Sequence, residues 1–280
     1  MPQRLQLATL LRALLLAPLL CLGATERAAA VTVSPTALYI DSQSRSGTLI
    51  LFNGGSLPEE LEISFAFGYP TSDASGAISV ELRDSAAAGE PSAVPWLRAF
   101  PRRLVLKPGQ RQVLRILVQP PAALADGEYW GRVLVRSRGG QPPIEQAQGE
   151  VRVQLNVETV IATALMFRKG PVHTGLSVRE ARAERTDDGV QLTLDVERQG
   201  NAAYLGRVRA QLLSPDGAVY AEVEDALAVY RALRRRFVLP LPAAAPAGFT
   251  VRYTFDTERP DLPPSGPLRA APVTAVLPVR

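Results

Sequence analysis

A single cysteine, a single histidine and two methionines are the only soft or redox-active side chains in this 280-residue chain. Cys21 lies within the first thirty residues, so the rest can form no disulfide and must be stable through core size alone. His173 has no second histidine and no downstream cysteine to complete a metal site, and it reads as a surface or hinge residue. Long apolar runs are scarce too. The longest, Ala13 to Ala24, is shorter than the roughly 20 residues a membrane-spanning helix needs. The net charge of +4 falls to +2 without residues 1–30, which hold Arg4, Arg12 and Arg27 against Glu26, and that is too small a surplus to imply nucleic acid. No GxSxG, HExxH, Walker or dinucleotide pattern is present, and an enzyme is not expected. No cofactor or metal is expected either.

What is present starts with Arg4 and Arg12 ahead of the apolar core and small residues at Ala28-Ala29-Ala30, the layout of an export signal cleaved near Ala30. Leu20 before Cys21 disfavours a lipoprotein signal, which wants a small residue there. The mature protein is therefore expected in the periplasm, without stable membrane insertion.

Beyond residue 30, Pro and Gly punctuate short apolar runs without a period, which predicts strands and turns. The stretch Phe100–Leu165 organises the rest. Gln112–Ile116 follows the turn Lys107-Pro108-Gly109-Gln110, where Pro sets φ and Gly accepts the positive φ of a type II turn. In the next run Tyr129, Gly131, Val133 and Val135 share one parity, against Trp130, Arg132 and Leu134. In the third, Val151, Val153, Leu155 and Val157 make an apolar comb of about 6.6 Å pitch. The segment Arg136–Gln148, with Pro142-Pro143, reads as the loop between the second and third runs. Upstream, strands are expected at Val31–Ile40, Gly47–Asn53 and Leu61–Phe67, with a turn at Asn53-Gly54-Gly55-Ser56. Arg168–Pro171 reads as a linker. Strands resume at Leu176–Glu184, Val190–Glu197, Leu205–Leu213, Val219–Glu224, Val229–Leu239, Phe249–Asp256 and Pro272–Val279, with turns at Asp187-Asp188-Gly189 and Ser214–Gly217. The expected fold is all-β: a signal peptide (1–30), then two tandem immunoglobulin-like β-sandwich domains at 31–168 and 169–280.

Several features have ordinary structural readings. Arg231, Arg234, Arg235 and Arg236 are read as a solvated strand flank beside Leu233, Phe237 and Leu239 in preference to an anionic-partner surface. Trp96 and Trp130 are expected in core or inter-sheet packing, Glu59-Glu60 as solvated carboxylates, and Pro260–Pro267 as a surface loop.

Four segments carry a family likeness: Val33-Ser34-Pro35-Thr36, the Asn53…Leu57-Pro58 loop, Phe100–Ile116 with Pro101, Pro108-Gly109 and Val113-Leu114-Arg115-Ile116, and Asp126-Gly127-Glu128-Tyr129. Over Val31 to Arg168 the chain resembles the periplasmic chaperones of chaperone–usher pilus assembly. The resemblance implies a non-enzymatic chaperone that lends a strand to pilin-like subunits with an incomplete β-sheet, with an outer-membrane usher as a second partner to be considered. It implies that Val151, Val153, Leu155 and Val157 form the donor strand and that Glu128 and Arg168 belong to an interdomain ion pair. The two basic residues with which the family holds a subunit's terminal carboxylate fall at Ala37 and Ala164. The alternative is an envelope structural or interaction module with the same fold and no client. A strand at the end of a domain can also bury its comb inside its own sandwich, and that reading stays open at this point.

Overall fold

The computed structural model describes residues 31–139, 144–148, 151–155 and 158–280, with the backbone alone at 144–148 and 151–155. The proposed export signal lies outside the described residues. Alternation of apolar and polar residues, interrupted by Pro and Gly, produces a chain made almost wholly of strands.

The first run does not form one strand. β1 (Val31–Ser34) and β2 (Ala37–Asp41) are separated by a cis Ser34-Pro35 peptide, and they join opposite sheets. Val31 from one and Leu38 and Ile40 from the other reach the same core, so the break lets one short segment seal both layers. β3 (Ser46–Asn53) and β4 (Glu59–Ala66) follow, then a small hairpin, β5 (Pro70–Ser72) with β6 (Ile78–Val80). A 3-10 turn at Val94–Trp96 leads into β7 (Leu97–Phe100), and a cis Phe100-Pro101 bond separates it from β8 (Arg103–Leu106). Gly109, at φ 69°, then closes the expected turn with Gln110 N–H on the Lys107 carbonyl, and β9 (Arg111–Val118) begins.

β10 (Gly127–Gly139) is longer than its apolar pattern suggested, and β11 (Ile144–Gln148) is a further strand within the expected loop. β12 (Val151–Leu155) pairs only with β11, from Ile144↔Leu155 to Gln148↔Val151. The closing strand of the sandwich is instead β13 (Glu158–Lys169), paired with β10 from Arg138↔Glu158 to Gly127↔Lys169. The reason is register. The residue numbers of partners sum to 296 in the β10–β13 ladder and to 299 in the β11–β12 ladder, so the two are separate pieces.

The first sandwich packs a four-stranded sheet, β1-β3-β9-β7, on a five-stranded one, β2-β13-β10-β4-β8. Leu49, Leu51, Leu114 and Ile116 from the first sheet meet Leu61, Ile63, Val133, Val135, Leu165 and Phe167 from the second, all essentially fully buried. Each such side chain contributes about 1.5–3 kcal/mol by leaving water. Glu59, expected in solvent, is buried and accepts a hydrogen bond from Ser137 Oγ.

The second sandwich holds β14 (Thr174–Thr186), β15 (Gly189–Gly200), β16 (Tyr204–Leu213), β17 (Val219–Val229), β18 (Ala232–Leu239), β19 (Thr250–Asp256) and β20 (Val273–Pro278). Its sheets are β14-β15-β18 and β17-β16-β19-β20, closed over a core that includes Leu192, Leu194, Val208, Leu212, Val251 and Phe255. β17 continues past the expected end at Glu224 to Val229 and buries Leu227 and Val229 in that core; Glu224 binds Arg207 and Arg209 of the neighbouring strand, and Asp225 binds Arg235 of β18. Two-sheet sandwiches of this kind, with antiparallel ladders apart from the parallel β2–β13 pair, make the fold immunoglobulin-like and all-β, as the strand spacing implies.

The loop after β3 is stapled by one residue. Asn53 is wholly buried, donates to the Leu57 and Leu106 carbonyls at 2.8 Å each and accepts from Gly55 N–H at 2.8 Å. Asn53→Ala should cost about 2–3 kcal/mol, because buried carbonyls lose their donor. Urea unfolding should show a lower midpoint at an unchanged m-value.

Candidate partner-binding edge and domain junction

Successive residues of β10 point to opposite faces. Tyr129, Val133 and Val135 enter the first core, whereas Trp130 turns outward to meet the second sandwich. Trp130 packs with Phe67 and Met166 against Ala203, Leu205 and Tyr230, and its ring lies 4.8 Å from that of Tyr230, edge to face. Of the core or inter-sheet packing expected for the two tryptophans, Trp130 takes the inter-sheet form, between the two sandwiches, while Trp96 packs on the first core beside Tyr129 and Phe167.

Beside Trp130 sits the Glu128 carboxylate, with no exposed side-chain area. It accepts from Arg168 Nε at 2.8 Å, from Trp130 Nε1 at 2.9 Å and from the backbone N–H of Ala203, in the second sandwich, at 3.0 Å. Glu128↔Arg168 are register partners in the β10–β13 ladder, so the pairing of two adjacent strands creates the ion pair. Arg168 also donates to the carbonyls of Ser265 (3.4 Å) and Gly266 (2.6 Å), and its guanidinium lies 5.0 Å from the Tyr39 ring centre. Pro260–Pro267 is therefore not a free surface loop. Gly266 rests on the Tyr39 ring, where an added Cβ would come within 2.2 Å. The Tyr39 hydroxyl beneath it is buried with no hydrogen-bond partner among the described residues, and burial pushes its pKa up to about 12.

One row of the five-stranded sheet is lined by small residues. Ala37 of β2 pairs with Ala164 of β13, and Arg132 of β10 pairs with both Ala164 and Ala66 of β4. The structure thus brings the two alanines together and sets a cation beside them that motif reasoning missed. Arg132 is half-buried and spends Nε on the Gly68 carbonyl at 3.0 Å. Its parity with Trp130 was the available signal.

β2 covers β13 only from Ala164 to Arg168. Over Glu158–Thr163 the strand has β10 on one flank and, among the described residues, no strand on the other. Val160 is 43% exposed there, while Ile161 packs on the first core. The donor comb was expected on the last strand of the first sandwich. Instead Val151, Val153 and Leu155 lie on β12, and Val157 lies outside the described residues.

The arginine cluster is largely paired. Arg234 forms a bidentate pair with Asp195 at 2.6 Å, holding that carboxyl below its usual range, and Arg235 binds Asp225. Arg234 N–H also donates to Ser72 Oγ of β5 at 2.7 Å, so this flank is a second contact between the sandwiches. His173 is exposed in the segment Pro171–His173 between β13 and β14. Among the described residues there is no group of three metal-capable side chains, and no helix is long and apolar enough to cross a membrane.

Together these features define a class: a two-sandwich, all-β protein with a charged junction and an open strand edge. No protein-family model and no curated protein sequence matches the chain. Solved structures similar to it include the Salmonella enterica SafA pilin in complex with the SafB chaperone (16% identity, TM-score 0.44, 89% of this chain and 96% of that one). Another is the CsuC–CsuE chaperone–tip adhesion subunit pre-assembly complex of Acinetobacter baumannii (12%, 0.43, 90% and 99%). A third is the YadV chaperone (13%, 0.46, 88% and 99%).

Removing the Glu128 carboxylate leaves Arg168 buried without its counter-charge. Glu128→Ala should cost about 3–5 kcal/mol, measured by chemical denaturation. Tyr39→Phe removes a buried, partnerless hydroxyl and should gain about 1 kcal/mol. The alkaline behaviour has a definite sign. The unfolded Tyr39 phenol releases its proton near 10.0 and the folded one near 12, so stability falls across that window. Tyr204 and Tyr230 are shifted upward by burial in the same direction. Thermal melts between pH 9 and 12 should therefore show a shallower decline for Tyr39→Phe than for the wild type, without abolishing it.

Proposed function

We propose that this is a non-enzymatic, exported chaperone-like protein that completes a partner subunit's β-sheet by strand addition, acting in the periplasm during pilus or cell-surface assembly. The open flank of β13 at Glu158–Thr163 carries the reading. An edge of this kind is a ready template for another chain. The comb Val151, Val153, Leu155 and Val157 would supply apolar teeth to the partner's groove. The partner is a pilin-like subunit lacking a strand, and an outer-membrane usher is a further candidate. The domains are proposed as 31–168 and 169–280, with Glu128 and Arg168 fixing the angle between them.

The magnitudes favour binding. Four aliphatic side chains leaving water contribute roughly 6–12 kcal/mol. About six ladder hydrogen bonds add roughly 3–9 kcal/mol. The association cost is about 4–15 kcal/mol. A strand laid on the open edge must stop where β2 begins, beside Ala37 and Ala164. Arg132 is the cation in that row, and it is the residue proposed to receive the partner's terminal carboxylate in place of the family's two basic anchors.

Leu155→Ser with Val157→Ser should abolish stoichiometric co-purification of a subunit from an envelope extract, read by mass spectrometry. Arg132→Ala should weaken capture roughly thirtyfold or more, the counterpart of about 2 kcal/mol for a charged contact. Unchanged capture by the Leu155/Val157 variant, with the fold intact by circular dichroism, removes the proposal and leaves an envelope module without a client.

A further inference from the structure

The outer face of the four-stranded sheet is apolar at its centre and cationic at its rim. Ile50 of β3 faces Val113 of β9 in register, and they are 43% and 53% exposed. Phe100 of β7 pairs with Arg115 and is 56% exposed. Phe52 lies two register pairs on, with the Arg111 guanidinium 5.3 Å from its ring centre. Arg98 completes the rim and donates to its own local backbone, the carbonyls of Pro95 and Leu97. The other outward residues of the central strands are Ser46, Thr48 and Leu117, so no carboxylate stands on them. Among the described residues, no acid forms an ion pair with Arg98, Arg111 or Arg115, whereas Arg103, Arg136 and Arg138 on the opposite sheet of the same sandwich are paired.

Exposed aromatic and aliphatic side chains next to arginine, with acids excluded, are the composition of a protein-binding centre. The rim selects the sign of the partner's charge. Four strands at about 4.8 Å spacing give a face about 14 Å wide, which fits one helix of about 10 Å diameter. A helix over a sheet is also the ordinary way to bury such a face. We infer that this face docks an acidic amphipathic helix of a second protein, apolar along one side and carrying carboxylates along its flanks. The face belongs to the sheet opposite the one bearing Trp130, Arg132 and the open β13 edge, so its use neither requires nor blocks strand addition there.

The probe is a synthetic helical peptide of roughly 18 residues with leucines along one face and glutamates on the flanks, titrated into the ¹⁵N-labelled protein. The expected result is saturable amide shifts confined to β3, β7 and β9. Weakening by about tenfold or more is expected in Arg111→Glu/Arg115→Glu, and with added salt. A peptide with lysine in place of glutamate should not bind. Shifts spread elsewhere, equal binding of the lysine peptide, or no binding by the wild type overturns the inference. So does arginine-dependent sedimentation with phosphatidylglycerol vesicles when the glutamate peptide gives no shifts, since the face would then serve a lipid surface. Should the double variant fail to fold, the wild-type shift map and its salt dependence decide alone. Loss of the strand-addition site through the Leu155/Val157 substitutions leaves this titration unchanged, so the two readings fail separately.

Discussion

A carboxylate with no access to water has to be matched by donors, and at Glu128 three of them come from three places: the neighbouring strand, its own strand two residues on, and the backbone of the second sandwich. Strand pairing in the first sandwich sets the Glu128–Arg168 contact, and the junction then follows from what those two groups still need. Ala203 must present its N–H, and Arg168 draws the carbonyls of Ser265 and Gly266 onto Tyr39. Tyr69 stacked on Tyr230, with Trp130 edge to face against both, excludes water from this arrangement and strengthens its electrostatics.

The junction has a consequence for the edge. β2 is anchored over Ala164–Arg168, close to the ion pair, and β13 beyond it has, among the described residues, no second neighbour. The same short β2 lies in the sheet opposite β1 and reaches the shared core through Leu38 and Ile40. Arg132, in the row where β2 starts, supplies positive charge where the expected basic anchors are replaced by alanine.

The two faces of the first sandwich divide their polarity differently. Outward residues of the five-stranded sheet neutralise one another across strands: Arg103 with Glu62, and Arg136 and Arg138 with Glu158. On the four-stranded sheet, among the described residues, Arg98, Arg111 and Arg115 form no ion pair, and this difference is what the proposed helix docking rests on.

Much of this was legible in the residue order. Period-two alternation at Leu61–Phe67 and Gln112–Ile116, and turns at Lys107–Gln110 and Asp187–Gly189, needed only local sterics and burial, so the all-β class and most strands followed from the chain alone. Glu128 and Arg168 were picked out by family likeness, but their contact depends on a register that is set across forty residues. The sequence could not say that the apolar comb lies on β12 instead of the closing strand, because alternation reads identically in both and only pairing distinguishes them. Nor could it separate the buried Glu59 from the exposed Glu60, place Gly266 on Tyr39, or gather Arg98, Arg111 and Arg115 on one face without an acid. Local physics chose the strands. Which flank stayed open and which charges stayed unpaired were settled by long-range pairing, since those depend on neighbours that only the folded chain brings together.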